Sequence, residues 1–446
     1  MHDSAATREK PHKSRQGASY LRLVLLAGAI GIPAAFLAAV FLAFVHWLEH
    51  WLWTDLPHDL GASAPPWYLL LGLPVAGAGI VIAARLLLPG DGGHPPLGGL
   101  SMTPTPLRAG PGVALAAIGT LCFGPVLGPE APLIALGSVV GMTVTLFVKL
   151  DERATAVLGT AGSFSAISAL FGGPLVAGML MVEAGVGMGS ALIPALLPGL
   201  VAAAIGYVIF VGFGNWGGLH ETALTVPGLP PYHHGLHPGD LLIGIGVGIA
   251  AALVIRGVRL VGGVTDALTH GRGRLPLLLV AGGLAVGLLA LLARALGANS
   301  QDVLFSGQSS VPSLVEQGSL KIVLVLLVAK ALGYAISLGS GFRGGPVFPA
   351  IFLGVALSTV AEIVFGISPT LAVTVGAAAG MAAMTRLLFA PLLFSVLLVG
   401  QSGLQTMPAA VLAAATAWIL MEFFEPRPAD KPAGPGPQEP AAGRPG

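Results

Sequence analysis

Charged side chains are what this chain has least of. Only 9% of its 446 residues are Asp, Glu, Lys or Arg, where an ordinary soluble domain carries about 25%. With 54% hydrophobic residues and a mean hydropathy of +0.86, water is excluded as its main solvent. Cysteine is nearly absent: Cys122 stands alone in an apolar segment, so no internal disulfide forms and the count says nothing of compartment. A net charge of +1 excludes the strong field that would recruit nucleic acid or acidic partners from a distance. No small-residue cleavage pattern follows the first apolar run, which is too long for a signal-peptide core, so the chain is expected to stay whole in the membrane.

Long apolar runs are what is there. Tyr20–Val45, Trp67–Leu88, Gly239–Ile255, Leu275–Leu296 and Pro408–Met421 approach or exceed the roughly 20 apolar residues that cross a hydrocarbon core. Arg8, Lys10, Lys13, Arg15 and Arg22 crowd the N-terminus, whereas the loop from His46 to Trp67 holds Glu49, Asp55 and Asp59 without a Lys or Arg. Segments 214–240 and 298–320 also lack both, while Arg256, Arg259, Arg272 and Arg274 bracket a short loop between them. The positive-inside rule then puts the N-terminus in the cytoplasm and the poor loops outside. Residues 1–18 and the Pro/Gly/Ala-rich 425–446 cannot bury enough apolar surface to offset chain entropy and are read as disordered cytoplasmic tails. One membrane domain remains, 19–424, in two halves of roughly 19–213 and 239–424.

Within apolar segments, 65 Gly and 36 Pro break helices where no water can satisfy the backbone, which a bilayer tolerates only inside protein or along a wet cavity. The densest breaks are 124–132 and 340–349, one in each half and each followed by a fresh helical pattern. Paired breaks of this kind point to a transport site built on an inverted repeat. Pro132 and Pro349 suit the first turn of a helix, and free N–H groups there, with the positive end of the helix dipole, suit an anion.

At these residues the sequence resembles the CLC family of chloride channels and proton-coupled chloride transporters. The family's Gly-Lys/Arg-Glu-Gly-Pro signature is similar to Gly128-Pro129-Glu130-Ala131-Pro132, preceded by a similar Gly119-Thr120-Leu121. Its Gly-x-Phe-x-Pro is similar to Gly345-Pro346-Val347-Phe348-Pro349, introduced by Lys330 and by Ser340-Gly341-x-x-Gly344-Gly345. Between them, Gly172-Gly173-Pro174-Leu175 with Glu183 is similar to a run ending in paired glutamates. A small bacterial branch of ion-channel proteins shares both Leu-Gly-Pro-Glu-x-Pro and Ser-Gly-Phe-Arg-Gly-Gly-x-x-Phe-Pro. The resemblance implies an all-α protein, an antiparallel inverted repeat of many tilted, partly spanning helices. It also implies a homodimer in the inner (plasma) membrane, passage of chloride or a similar small anion, no cofactor, and both termini in the cytoplasm.

The same resemblance makes Glu130 the gating glutamate. Gly128, Pro129, Ala131, Gly345, Pro346, Val347 and Phe348 become anion-binding positions, and Val347 and Phe348 are left as alternatives for the amide that meets the ion. Three further departures qualify it. Asp91-Gly92-Gly93-His94-Pro95 puts Gly92, beside Gly93, where the family has a serine hydroxyl. The family's pore tyrosine falls at about Gly403, and its internal proton glutamate at Ala184, which argues for channel-like flow over tight proton exchange. Arg343, between glycines, and Glu183 are candidate vestibule residues, each with a plainer role as a topology anchor or a paired carboxylate.

Other readings carry less. His46 and His50 are spaced for a metal, but Trp47 and Trp51 beside them favour an interfacial belt. His233, His234 and His237 read as a solvated loop. Gly400-Gln401-Ser402-Gly403 looks like an intramembrane serine protease motif, yet no His lies in an apolar segment downstream, and His46-x-x-Glu49-His50 has the wrong spacing for a zinc protease; no enzyme is expected. A proton/anion antiporter, a fluoride exporter of the same family, and an organic-solute transporter remain alternatives, the last disfavoured by the scarcity of intramembrane charge.

Overall fold

A computed structural model describes residues 10–185, 192–212, 225–232, 235–269 and 273–425. His233, His234, residues 1–9 and the tail from 426 on lie outside them. Helix α1 (Lys10–His50) passes through a π turn (Trp51–Asp55) into α2 (Leu56–Asp59). Then come α3 (Trp67–Leu87), α4 (Gly110–Leu121), α5 (Glu130–Thr143), α6 (Glu152–Leu170), α7 (Pro174–Ala184) and α8 (Leu192–Val211). The second half holds α9 (Pro238–Thr269), α10 (Leu275–Ala295), α11 (Ser300–Val303), α12 (Val311–Val315), α13 (Leu320–Gly339), α14 (Val347–Phe365), α15 (Pro369–Thr385), α16 (Phe389–Val399) and α17 (Gly403–Phe424). Among the described residues there is no strand, only one isolated antiparallel bridge, Gly128 to Gly345. Eight helical segments there are long and apolar enough to cross a membrane, while α5, α7 and α15 fall short, the mixture expected of partly spanning helices.

Two expectations need correction. Lys10–Ala18, read as part of a disordered tail, is helical at the start of α1. The supposed loop from His46 continues helically to Asp59: Trp53 is buried, with its indole N–H donating to the carbonyl of Cys122 at 2.9 Å, an anchor that keeps the backbone wound. Trp47 and Trp51 remain exposed, as belt residues do.

The two halves pack alike. α1, α6 and α7 lie against α8, and α9, α15 and α16 lie against α17; α5 crosses α6 as α14 crosses α15. Both crossings depend on glycine. A Cβ on Gly137 would collide with the carbonyl of Gly162, and one on Gly354 with that of Gly376, so bare backbones meet, the close approach that replaces the hydrophobic drive in lipid. α15 is buried from Thr370 through Met384 and forms the middle of its half. Large apolar side chains point outward along α1, α9, α10 and α13, surface that only lipid or another protein would cover.

Candidate functional site

The breaks meet head to head. Gly128 donates to the carbonyl of Gly345 at 2.7 Å and Gly345 returns the bond at 2.6 Å. Each belongs to a Gly-Pro-x-x-Pro turn, at 128–132 and 345–349, that opens α5 or α14. Corresponding residues stand 217 apart, and the correspondence extends to side-chain bonds. Thr120 donates its hydroxyl to Ala116 and accepts from the Arg343 amide at 3.2 Å. Ser337 donates to Gly333 and accepts from the Val126 amide at 2.9 Å. Gly124 and Gly341 turn the chain into the two breaks with φ of 105° and 100°, a region that costs a side chain strain but glycine none. Each half thus ties down the other half's break.

Glu130 lies in the resulting crevice, fully buried. Its carboxylate crosses to the opposite half, where Oε1 accepts from the Val347 amide and the Phe348 amide also donates. Both residues left as alternatives, Val347 and Phe348, thus turn their amides to the carboxylate. Oε2 is buried without a partner. No room remains beside it: a Cβ on Gly128 or Gly345 would overlap the carboxyl group. A carboxyl group therefore sits at the N-terminus of the 19-residue α14, satisfying amides that helix geometry leaves open. The Phe348 ring stacks on Phe171 at 5.7 Å and meets Phe394 edge-on at 6.0 Å, fixing that end of α14. The Tyr334 hydroxyl donates to the Pro346 carbonyl at 2.5 Å.

The Asp91-Gly92-Gly93 turn joins this centre through Arg343. Its Nε donates to the Asp91 carbonyl at 3.0 Å and its Nη2 to Asp91 Oδ2 at 2.5 Å. Arg85 holds the same carboxylate with two bonds, of 2.7 and 2.8 Å. Burial alone would raise the Asp91 pKa, but the two guanidinium groups outweigh it and hold it below the ordinary carboxylate value. Gly92 and Gly93 line a cavity of about 20 Å³ together with Ala131, Pro132, Arg343 and Gly344, room for about one water-sized occupant. Gly92, Gly93, Ala131 and Arg343 are thus brought together, and Asp91 is a partner the sequence reading missed; its only signal was a lone acid before two glycines.

The remaining candidates are elsewhere. Glu183 accepts from the amides of Leu388, Phe389 and Ala390 at 2.8, 2.9 and 2.7 Å, capping α16, the helix that presents Phe394. Gly403 opens α17 against Val396, and α17 stands in the second half where α8 stands in the first. By its packing α17 is the counterpart of α8 at the end of the repeat. Neighbouring Ser402 accepts from the Tyr232 amide at 3.2 Å. Lys330 is buried away from Glu130, donating to the carbonyls of Asp302 and Leu304 at 2.8 Å each and lying over the Phe352 ring. Among the described residues no His, Cys, Asp and Glu cluster could hold a metal.

Broken helices from two inverted halves, meeting around a buried carboxylate inside an apolar bundle, define a membrane transport protein. A family model described as voltage gated chloride channel matches residues 92–422. The chain belongs to that family. Curated relatives named ion-transport protein YfeO, from Escherichia coli (strain SMS-3-5 / SECEC) and from Escherichia fergusonii, are 28% identical over 346 residues, covering 76% of this chain and 78% of theirs. Among solved structures, a slow cyanobacterial Cl⁻/H⁺ antiporter is similar with TM-score 0.72 and 18% identity over 91% of this chain and 96% of that one. A CLC-type fluoride/proton antiporter is similar with TM-score 0.68 and 21% identity over 93% and 98%. At these identities the likeness shows the fold.

Proposed function

We propose that within the anion transport of its family this chain passes chloride or a similar small inorganic anion in a channel-like manner, with Glu130 as the gate. The observation that carries the reading is the Glu130 carboxylate seated on the Val347 and Phe348 amides. A carboxylate there has the charge and the acceptor atoms of a permeant anion and competes for the same donors. When Glu130 leaves or is protonated, those amides become available to an ion, flanked by Gly128, Pro129, Ala131, Gly345 and Pro346. Ala184 stands where proton-coupled relatives carry a glutamate, and neighbouring Glu183 is engaged by three amides, which leaves that proton relay without its carboxylate. The chain works as a homodimer in the inner membrane with its N-terminus in the cytoplasm.

The test is chloride flux from liposomes holding the purified protein, for wild type and Glu130→Gln across pH 5 to 8. The substitution keeps shape and removes charge; flux that loses its pH dependence supports the gate, and unaltered flux at every pH refutes it. A second reading, exchange for protons, draws support from the solved neighbours that are named antiporters. Uphill proton movement driven by a chloride gradient decides for exchange.

A further inference from the structure

Glu130 is not the only carboxylate of this chain that occupies positive groups beside the crossing. Arg343 is 4% exposed, which is costly for a charge unless it is paired. Its pairing is unequal: two guanidinium groups, Arg85 and Arg343, share the one Asp91 carboxylate, with Asp266 adding attraction to Arg343. Among the described residues Arg343 Nη1 has no hydrogen bond, and the residue lines the 20 Å³ cavity shared with Gly92, Gly93 and Ala131. Positive charge is felt there: His94, on the same cavity, is held below its ordinary pKa by burial and by Arg343. Asp91 is the solvent-facing member of the set, with 58% of its side chain exposed against 5% for Arg343.

Position 92 shows what replaced the missing hydroxyl. A Cβ on Gly92 would meet Ala116 at 2.9 Å and press on the Arg85 and Arg343 stems at 3.2 and 3.3 Å, at a φ of +70°. Ala116 and the aliphatic stems of the two arginines thus fill the space in which a side chain at 92 would stand.

We propose that Arg343, with the Gly92–Gly93 turn, forms a second anion site for a small planar oxyanion such as nitrate, and that Asp91 is a tethered carboxylate occupying it at rest. The inference rests on reading the chain as an anion pathway. The chemical class follows from the donor and from the present occupant. A guanidinium is a flat fork matched to coplanar oxygens, where a lysine is a point charge, and the carboxylate it holds is itself a planar two-oxygen anion. An arriving oxyanion takes over the Arg343 donors while Asp91 swings toward solvent, still held by Arg85.

The sign of one substitution separates this role from a structural one. If Asp91 only positions Arg343, Asp91→Asn weakens anion binding. If Asp91 competes, removing its charge tightens binding, because apparent affinity is reduced by the fraction of time the site is free; a site free about a tenth of the time gains about tenfold. The experiment is calorimetric titration of the purified full-length protein with sodium nitrate and sodium chloride. Asp91→Asn is expected to lower the nitrate dissociation constant by roughly three- to tenfold. Arg343→Gln raises it, and the double variant behaves like Arg343→Gln alone. Arg343→Lys, which keeps the charge should the glutamine variant misfold, narrows the preference for nitrate over chloride. Unchanged or weakened nitrate binding in Asp91→Asn overturns the proposal. Because binding is measured apart from flux, altered flux in Glu130→Gln beside unchanged binding in Asp91→Asn sinks this inference alone, and tightened binding in a protein that passes no anion sinks the transport reading alone.

Discussion

Gly345→Ala tests the gate without touching its carboxylate. The added methyl would overlap the Glu130 carboxyl group, and since Gly345 is not among the residues with positive φ, the backbone itself accepts alanine. The carboxylate must then leave the α14 amides or the bridge to Gly128 must open. Two hydrogen bonds to a charged group are at stake, those from the Val347 and Phe348 amides. At about 1.5 kcal/mol each, their loss is about 3 kcal/mol, or more than a hundredfold in the balance between seated and vacated carboxylate. Chloride flux in liposomes should therefore rise and resemble that of Glu130→Gln in its response to pH. Combining the two substitutions should add little, since both vacate one site. Circular dichroism and thermal unfolding in detergent separate this outcome from an opened bridge. If Gly345→Ala keeps wild-type flux and pH response while Glu130→Gln changes both, the carboxylate does not gate from this crevice.

Glu183→Ala should cost about 2 kcal/mol of stability, because three amides at the start of α16 lose their charged cap; an unchanged unfolding temperature in detergent would contradict the capping role. Glu425, just beyond α17, accepts from Arg256, from Arg259 at 2.9 Å and from Arg386 at 3.0 Å. Burial pushes its carboxyl up, but Arg259 and Arg256 outweigh burial and hold it below the ordinary value. A carboxyl depressed in the folded state stabilises above its unfolded pKa of about 4.3, and that stability fades as pH falls through the folded value. The difference in unfolding temperature between wild type and Glu425→Gln should accordingly hold from pH 7 to 5 and shrink below about pH 4.3. A difference that stays constant down to pH 3 would exclude the clamp.

The spans were legible because their signal is compositional: α3 and α10 begin and end within about a residue of the apolar runs. The two breaks were legible because Gly and Pro in an apolar chain have few other uses. Tertiary partnerships were not. Nothing local marks Asp91 as the partner of Arg343, 252 residues on, or Glu183 as the cap of α16, more than 200 residues on. Nor does anything local mark α17 as the counterpart of α8, which shows only in the helices each packs against. The segment after His46 misled because acidic residues and an absent Lys or Arg signal the side of the membrane, not the end of a helix.

The 217-residue correspondence separates frame from function. Where the halves agree, at Gly124 and Gly341, Gly128 and Gly345, Pro129 and Pro346, Pro132 and Pro349, the residues bend the chain, bridge the halves and start helices. Where they disagree, charge appears in one half only: Glu130 faces Val347 in the correspondence, and Arg343 faces Val126. Two identical crossings could offer two equivalent amide-lined starts, but only α14 receives a carboxylate, because only the first half supplies one. The second half supplies the guanidinium near the other end of the same crossing. On the proposed pathway an anion would meet the tethered Glu130 carboxyl at the α14 amides and the paired Arg343 beside Gly92, an asymmetry that comes from two differences within an otherwise matched pair of turns.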